Sequence, residues 1–383
     1  MKKIVRSSAG EKNTMYAFLS NDSALDALRY LRDDALTRTR WPLVPRKLPR
    51  YGDSVATQRA FKAFSQENDL DRHGVTKRPV DLLVPTRSER SRGKQARLHV
   101  WKGDIPAGAM VRLGEQVFAS TPQFVLLQMA AQNYRRDPLA RAYVEECKAE
   151  SAVAQASDAR GPLDDEDPFA WRRKEHVVRM ALVACEFAGT YRLGAGDHDT
   201  TYRLAPLMTL EEARAFANRV PRLYGGARVQ AALDLAFDRS ASPMESALAL
   251  MLSLPVDYGG FGLPRPTLNE ALPTGEFSSL WDGGDSITPD LLWKDARVVI
   301  EYESDEFHAS QGARKATDDA TRANVLSALG YTVLRATTGS VTSQVELGRL
   351  ATQVATALGG VLAESDDLTS LRRHKMHALL MKQ

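Results

Sequence analysis

Residues 287–337 read ITPDLLWKDARVVIEYESDEFHASQGARKATDDATRANVLSALGYTVLRAT, and the fold of the C-terminal part of the chain turns on how they are read. Two β-like runs, 287–293 and 298–303, flank Lys294-Asp295-Ala296-Arg297, a segment suited to a tight hairpin connection. Side chains alternate along a strand, so Asp290 shares a face with Leu292, and Glu301 and Glu303 share one with Val299. With a loop of two or four residues, position 293 pairs with 298 and Asp290 stands opposite Glu301. Like charges with Cβ atoms about 4.5–5.5 Å apart destabilise a sheet. A divalent cation between the two carboxylates is the simplest reason for tolerating them, since hard oxygen ligands suit Mg²⁺.

After the hairpin a helix-like run covers 313–329. It carries an apolar pair, Val325 and Leu329, and an ion pair, Asp318 and Arg322, both at i, i+4. Gly330 suits the position just past its end, and a β-like run over 331–336 comes next. The expectation is a small α/β sheet, with acids on one face of its central hairpin and a crossover helix to a returning strand.

Glu245 on a preceding helix, Pro289-Asp290, Glu301-x-Glu303, His308, Asp318, Arg322 and Val333-Leu334-Arg335 together resemble the PD-(D/E)XK nuclease superfamily. More narrowly they are similar to its very-short-patch-repair-endonuclease-like branch, often fused to AbiEi-antitoxin-like regions. The resemblance covers residues 240–340 well and the upstream half loosely. It implies a restriction-endonuclease-like mixed sheet flanked by helices, and Mg²⁺-dependent cleavage of phosphodiester bonds with Mn²⁺ as a substitute ion. It implies further that Asp290 and Glu301 hold the metal and that Glu245 assists from its helix. Glu303 then stands where the superfamily has Lys, or Asp in this branch, and Ser304 where the branch often has Gly. Three consequences of the missing lysine stay open: Glu303 is a further metal ligand, Lys315 or Lys294 supplies the cation, or the site is inactive. His308 is either a proton carrier near neutral pH or a loop cap, and Arg335 is a candidate contact to the scissile phosphate.

The 383 residues suggest two domains, with 43% hydrophobic residues to build cores. The expected division is an AbiEi-like α+β domain over 1–238 and a nuclease-like domain over 239–383, making the chain α+β overall. No apolar run approaches about 18 residues, so no transmembrane helix is expected, and the start lacks the apolar core of a secretory signal. Cys147 and Cys185 form no metal motif and suit a reducing cytoplasm. The net charge of +3 is mild, but its distribution is uneven. Between Asp71 and Gly103, nine Lys or Arg face only Asp71, Asp81 and Glu89, and Arg38, Arg40, Arg46, Lys47 and Arg50 form a second basic stretch. A polyanion partner for the N-terminal half is expected.

Helices are expected over 23–31, 57–65, from Pro122, and over 171–187, 209–218 and 228–236. Strands are expected at Val80–Val84, 97–101, 116–119 and near 277–281. The loop 86–95 carries Arg87, Arg90, Arg92 and Lys94; it is either a phosphate-binding loop or a solvated hairpin tip. Ser242-Pro243-Met244-Glu245 reads as a capping box opening a helix apolar nearly all round. Glu245 therefore either closes that helix end or leans over the sheet towards Asp290. A further helix over 345–358 is expected to cover the sheet, and His374 and His377 to be exposed.

Three functions compete at this stage. One is a metal-dependent endonuclease acting on DNA or RNA, in phage defence or a toxin–antitoxin system with a cognate toxin or defence protein as partner. Another is a catalytically inactive nucleic-acid-binding antitoxin or transcriptional regulator. The third is a protein-interaction module.

Overall fold

The structure, a computed structural model, describes residues 15–32, 47–131, 168–194, 199–220, 225–280, 284–304 and 312–382, with the side chains of 168–169, 280 and 312–319 excepted. Helices and mixed sheets together make the chain α+β. Two compact units emerge, Met1–Gln128 with Gly194–Asp199, and Met129–Leu193 with Thr200–Gln383.

The first unit is built on a five-stranded sheet in the order β3-β2-β1-β5-β4. Its strands are β1 (Ala17–Leu19), β2 (Val80–Val84), β3 (Ala96–Val100), β4 (Met110–Arg112) and β5 (Val117–Ser120). Two helices accompany them, α1 (Asn21–Leu31) and α2 (Ser54–Glu67). β2 is buried throughout, which explains its unbroken apolar character apart from Asp81. That acid is satisfied where it lies, by Arg97 at 3.2 Å and His99 at 2.6 Å. β2 and β3 run parallel, with Val80 beside Ala96 and Val84 beside Val100. The segment between them is therefore a crossover, and its last residues fold back on the start of β3 in a tight antiparallel turn, with Arg92 bridged to Arg97.

The chain continues with α3 (Pro122–Ala131), and then α4 (Pro168–Ala188), β6 (Tyr191–Arg192), β7 (Thr201–Tyr202), α5 (Leu210–Asn218) and α6 (Gly226–Leu235). The junction expected near 238 is not where the units divide. α4 lies within the second unit and is tied to the segment around 238: the Cys185 Sγ accepts from the Phe237 N–H at 3.2 Å, and the Arg239 N–H donates to the Ala188 carbonyl. Burial pushes the Cys185 thiol up to about 12, so it stays a packed, protonated side chain. Cys147 lies outside the described residues.

α7 (Pro243–Ser253) leads to a four-stranded sheet in the order β13-β12-β11-β8. Its strands are β8 (Thr267–Leu268), β11 (Leu291–Trp293), β12 (Val298–Glu303) and β13 (Thr332–Thr337). A two-stranded ladder joins β9 (Leu272–Pro273) to β10 (Ser286–Ile287). Between them, 3-10 turns occupy Gly275–Leu280 where a strand was expected. β11 and β12 form the anticipated hairpin in the anticipated register: Leu291 pairs with Ile300, Leu292 with Val299 and Trp293 with Val298. The run before it breaks at Pro289, which has no N–H to give a ladder. α8 (Gly312–Ala328) then returns the chain to β13, parallel to β12. It packs Val325 and Leu326 on Leu292, Val299, Leu272 and Ile287, each such side chain contributing about 1.5–3 kcal/mol. Three helices close the unit: α9 (Thr338–Thr342), α10 (Gln344–Ala357) and α11 (Asp367–Leu380). His377 on α11 is buried, against expectation, with its Nε2 2.8 Å from the Val341 carbonyl. His374 pairs its Nδ1 with Gln344 Oε1 at 3.0 Å.

Candidate functional site: a buried carboxylate pair beside a guanidinium

α7 is buried from Glu245 to Leu252, so its first turn must be fixed in apolar surroundings. Ser242 caps it, its Oγ accepting from the Glu245 N–H at 3.1 Å. The reciprocal half of the expected capping box lands one residue earlier, for Glu245 Oε2 accepts from the Ala241 N–H at 2.9 Å. A second turn of polar contacts holds the same end. Tyr191 Oη lies 2.9 Å from Ser246 Oγ, which donates to Ser240 Oγ at 2.7 Å. Glu245 itself is 6% exposed.

Glu245 ties the helix end, and the charge of Asp290 acts on it. Burial first, and the Asp290 charge second, push its carboxyl up to about 7. Asp290 is raised by burial as well, with a hydrogen bond from the Tyr302 N–H and the Arg322 charge pulling the other way. The Tyr302 N–H reaches Asp290 Oδ2 at 2.6 Å. Asp290 is thus turned to the backbone of β12, just outside β11. The carboxylates whose charges act on one another are Glu245, on a helix, and Asp290, at a strand entry.

Glu301, the other half of the predicted facing pair, is taken up by Arg322, whose Nε donates to its Oε2 at 3.0 Å. Arg322 Nη2 also donates to the Thr288 carbonyl. A cation does stand beside the acids of the hairpin, and it is the chain's own guanidinium, reached from α8. Glu303 is held by Arg335, from Nη1 to Oε1 at 3.0 Å. Arg335 is therefore engaged with a neighbouring strand, and it remains half exposed. Among the described residues no group of three or more His, Cys, Asp or Glu is arranged to hold a metal. The four-carboxylate ligand set of Glu245, Asp290, Glu301 and Glu303 is not assembled as one cluster; the pair Glu245–Asp290 remains. Lys294 sits in the turn at the opposite end of β12 from Glu303 and pairs with Glu270 at 3.2 Å, so it does not replace the missing lysine. His308 lies outside the described residues, and of Lys315 and Asp318 only the backbone, on α8, is described.

Sequence reasoning missed Asn269. Its Nδ2 donates to Glu245 Oε2 at 2.8 Å and to the Arg239 carbonyl at 2.9 Å, and its N–H donates to the Asp290 carbonyl at 3.1 Å. It holds both carboxylate-bearing segments from a left-handed backbone at φ 47°. Asn is among the few residues that tolerate that region, and this was the one signal available beforehand.

The predicted basic loop is real and outward-facing: Arg87, Arg90, Arg92 and Lys94 are all exposed. No described helix is long and apolar enough to cross a membrane.

No protein-family model matches the chain, and no solved structure matches it. Two Mycobacterium tuberculosis proteins are similar to it, uncharacterized protein MT2308 (strain CDC 1551 / Oshkosh) and uncharacterized protein Rv2248 (strain ATCC 25618 / H37Rv). Each is 33% identical over 155 residues, 39% of this chain and 51% of the relative. The chain spans about half the length of the curated relatives it matches.

Proposed function

We propose that the protein is a metal-dependent endonuclease that hydrolyses phosphodiester bonds in DNA, with RNA as the other substrate its chemistry admits. The resemblance of 240–340 to the PD-(D/E)XK superfamily suggests this class. The observation that carries it is the Glu245–Asp290 pair, two carboxylates held together inside the protein at a cost in ionisation. Two protein carboxylates suit Mg²⁺, which characteristically completes its shell with water and substrate phosphate. Such an ion, when bound, supplies charge stabilisation at the phosphate and lowers the pKa of water. Glu245 and Asp290 are the residues that would hold it. Oε2 of Glu245 is occupied by two donors, so Oε1 is the oxygen for ligation or for accepting a proton. A carboxyl that ionises near neutral pH is suited to the second task. Arg322 orients Glu301 and offsets negative charge around Asp290. Phage defence or a toxin–antitoxin pair in the cytoplasm is the setting that the AbiEi-like resemblance suggests.

A second reading has one specific observation in its favour. Glu301 and Glu303 are both neutralised by arginines of the same unit, as in a nuclease-like fold that binds nucleic acid as a regulator without cutting it. Incubation of supercoiled plasmid and of single-stranded substrates with Mg²⁺, Mn²⁺ or EDTA decides between them. Nicking that needs the ion and disappears in Asp290→Ala and Glu245→Gln supports the enzyme. Binding without cleavage under every ion supports the regulator.

A further inference from the structure

In the first unit the described end of one basic stretch, Lys47 to Tyr51, meets the other at one buried carboxylate. Glu89 is 0% exposed. It accepts from Thr86 Oγ1 at 2.7 Å and from the Tyr51 N–H at 3.2 Å, with Thr57 Oγ1 3.5 Å away. Tyr51 comes just after Lys47 and Arg50, both exposed, and Glu89 lies between Arg87 and Arg90, both exposed. Gln58 of α2 fixes the other half of the crossover, donating to Ser91 Oγ at 2.7 Å and to the Ala96 carbonyl at 3.0 Å. The loop's own backbone adds Gly93 N–H to the Ala96 carbonyl and Leu98 N–H to the Ser91 carbonyl. A Cβ at Gly93 would come within 2.7 Å of the Gln58 side chain, so loop and helix are in close contact there. An exposed loop of ordinary mobility needs none of this; here the cations are mounted on a fixed support.

The parallel pairing of β2 with β3 gives the support its shape. To leave Val84 and re-enter at Ala96, beside Val80, the chain must travel back along the strands. That return covers about 13 Å at the usual strand rise. Arg87, Arg90, Arg92 and Lys94 are thus spaced along that return, from a 3-10 turn over Arg87–Glu89 to the tight turn that re-enters β3, with Arg50 joining beside Tyr51 at the Glu89 end. A line of cations suits a linear polyanion better than a single phosphate, and duplex DNA offers one negative charge per about 1.7 Å of axis. Guanidinium forks match phosphate oxygens in pairs. Ser88, Ser91, Gly93 and Gln95 between the cations are small or polar, the kind of residue that contacts phosphates. They supply none of the apolar anchors that protein partners or lipid surfaces require.

We propose that this crossover is a docking rail for the sugar-phosphate backbone of a nucleic acid, contributing affinity without reading sequence. The rail uses no residue of the carboxylate pair, and its assignment holds whether or not that pair catalyses hydrolysis.

The test is fluorescence anisotropy of the full-length protein with a labelled duplex in EDTA, which stops any cleavage, over a range of salt. The quadruple variant R87Q/R90Q/R92Q/K94Q should bind at least about tenfold more weakly, with the log–log salt slope flatter by about 3–4. K47Q/R50Q should move in the same direction by a smaller amount. R112Q/R349Q, which removes exposed cations on β4 at the opposite edge of the sheet and on the other unit, should change the slope little. Melting temperatures of all variants check that the fold is kept. An unchanged slope in the quadruple variant, or an equal loss in R112Q/R349Q, overturns the rail. Tighter binding to poly-glutamate or to phosphatidylserine vesicles than to the duplex overturns the choice of occupant. The titration is read in EDTA and does not depend on cleavage, so a failed cleavage assay and a failed rail give different results.

Discussion

Glu245 is the residue whose ionisation most affects stability. Its carboxyl titrates near 7 in the folded chain against an ordinary 4.5, so the folded state holds the proton more tightly. Its contribution is fully present below about pH 4.5 and is lost as pH rises to about 7, a change on the order of 3 kcal/mol. Asp290 is shifted the same way and adds to the trend. Without divalent ions, Glu245→Gln should therefore be less destabilised between pH 5 and pH 8 than the unaltered chain, as read from urea unfolding at both pH values. Asn269 is the partner to probe next. Asn269→Ala removes two side-chain hydrogen bonds and should cost about 1–3 kcal/mol. Asn269→Asp should be worse at pH 8 than at pH 5, because it sets a third carboxylate against Glu245. Equal cost at both pH values would separate Asn269 from the carboxylate pair. Little of this was visible in the sequence, where Asn269 stands in an irregular stretch and only the tolerance of Asn for a left-handed backbone hints at its place.

At the scale of elements, the hairpin was legible to the residue, because two short apolar runs joined by a four-residue turn leave a register that pairs Leu292 with Val299. What could not be read was which cation would answer the acids. A helix arginine twenty-one positions along the chain does so, and helix-to-strand side-chain pairing has no local signature. Arg322→Ala should destabilise by about 2–4 kcal/mol, since Glu301 then lies largely buried without its guanidinium. Added Mg²⁺ should raise the melting temperature of that variant more than that of the unaltered chain. The return from α8 to β13 gives a separate check. Gly330 sits at φ 83°, and its absent Cβ would meet only the flexible end of Arg297. Gly330→Ala should cost about 1–2 kcal/mol from backbone strain, seen as a lower urea midpoint with an unchanged slope.

The whole molecule was less legible than its parts. Most helices were found close to their observed positions, but β1 and β4 were not foreseen, and the junction was expected near 238 because Asp238–Ser242 is polar and Pro243 opens a new helix. Polarity there marks a turn inside a unit, fastened by Thr190 N–H and Ser240 carbonyl and by Tyr191 and Ser246. A fragment starting at 239 should accordingly lack a cooperative thermal transition, whereas one starting at 129 should melt cooperatively; the reverse order in calorimetry would restore the sequence-based boundary. The mild net charge of +3 likewise concealed an uneven surface, with cations gathered on the first unit and a buried acidic pair in the second. The most direct measurement of the functional account is calorimetric titration of Mn²⁺ into the full-length protein at pH 8. The account predicts a single bound ion per chain, with affinity reduced at least about tenfold in both Asp290→Asn and Glu245→Gln. Absence of binding at millimolar Mn²⁺, or equal affinity in all three proteins, would contradict it.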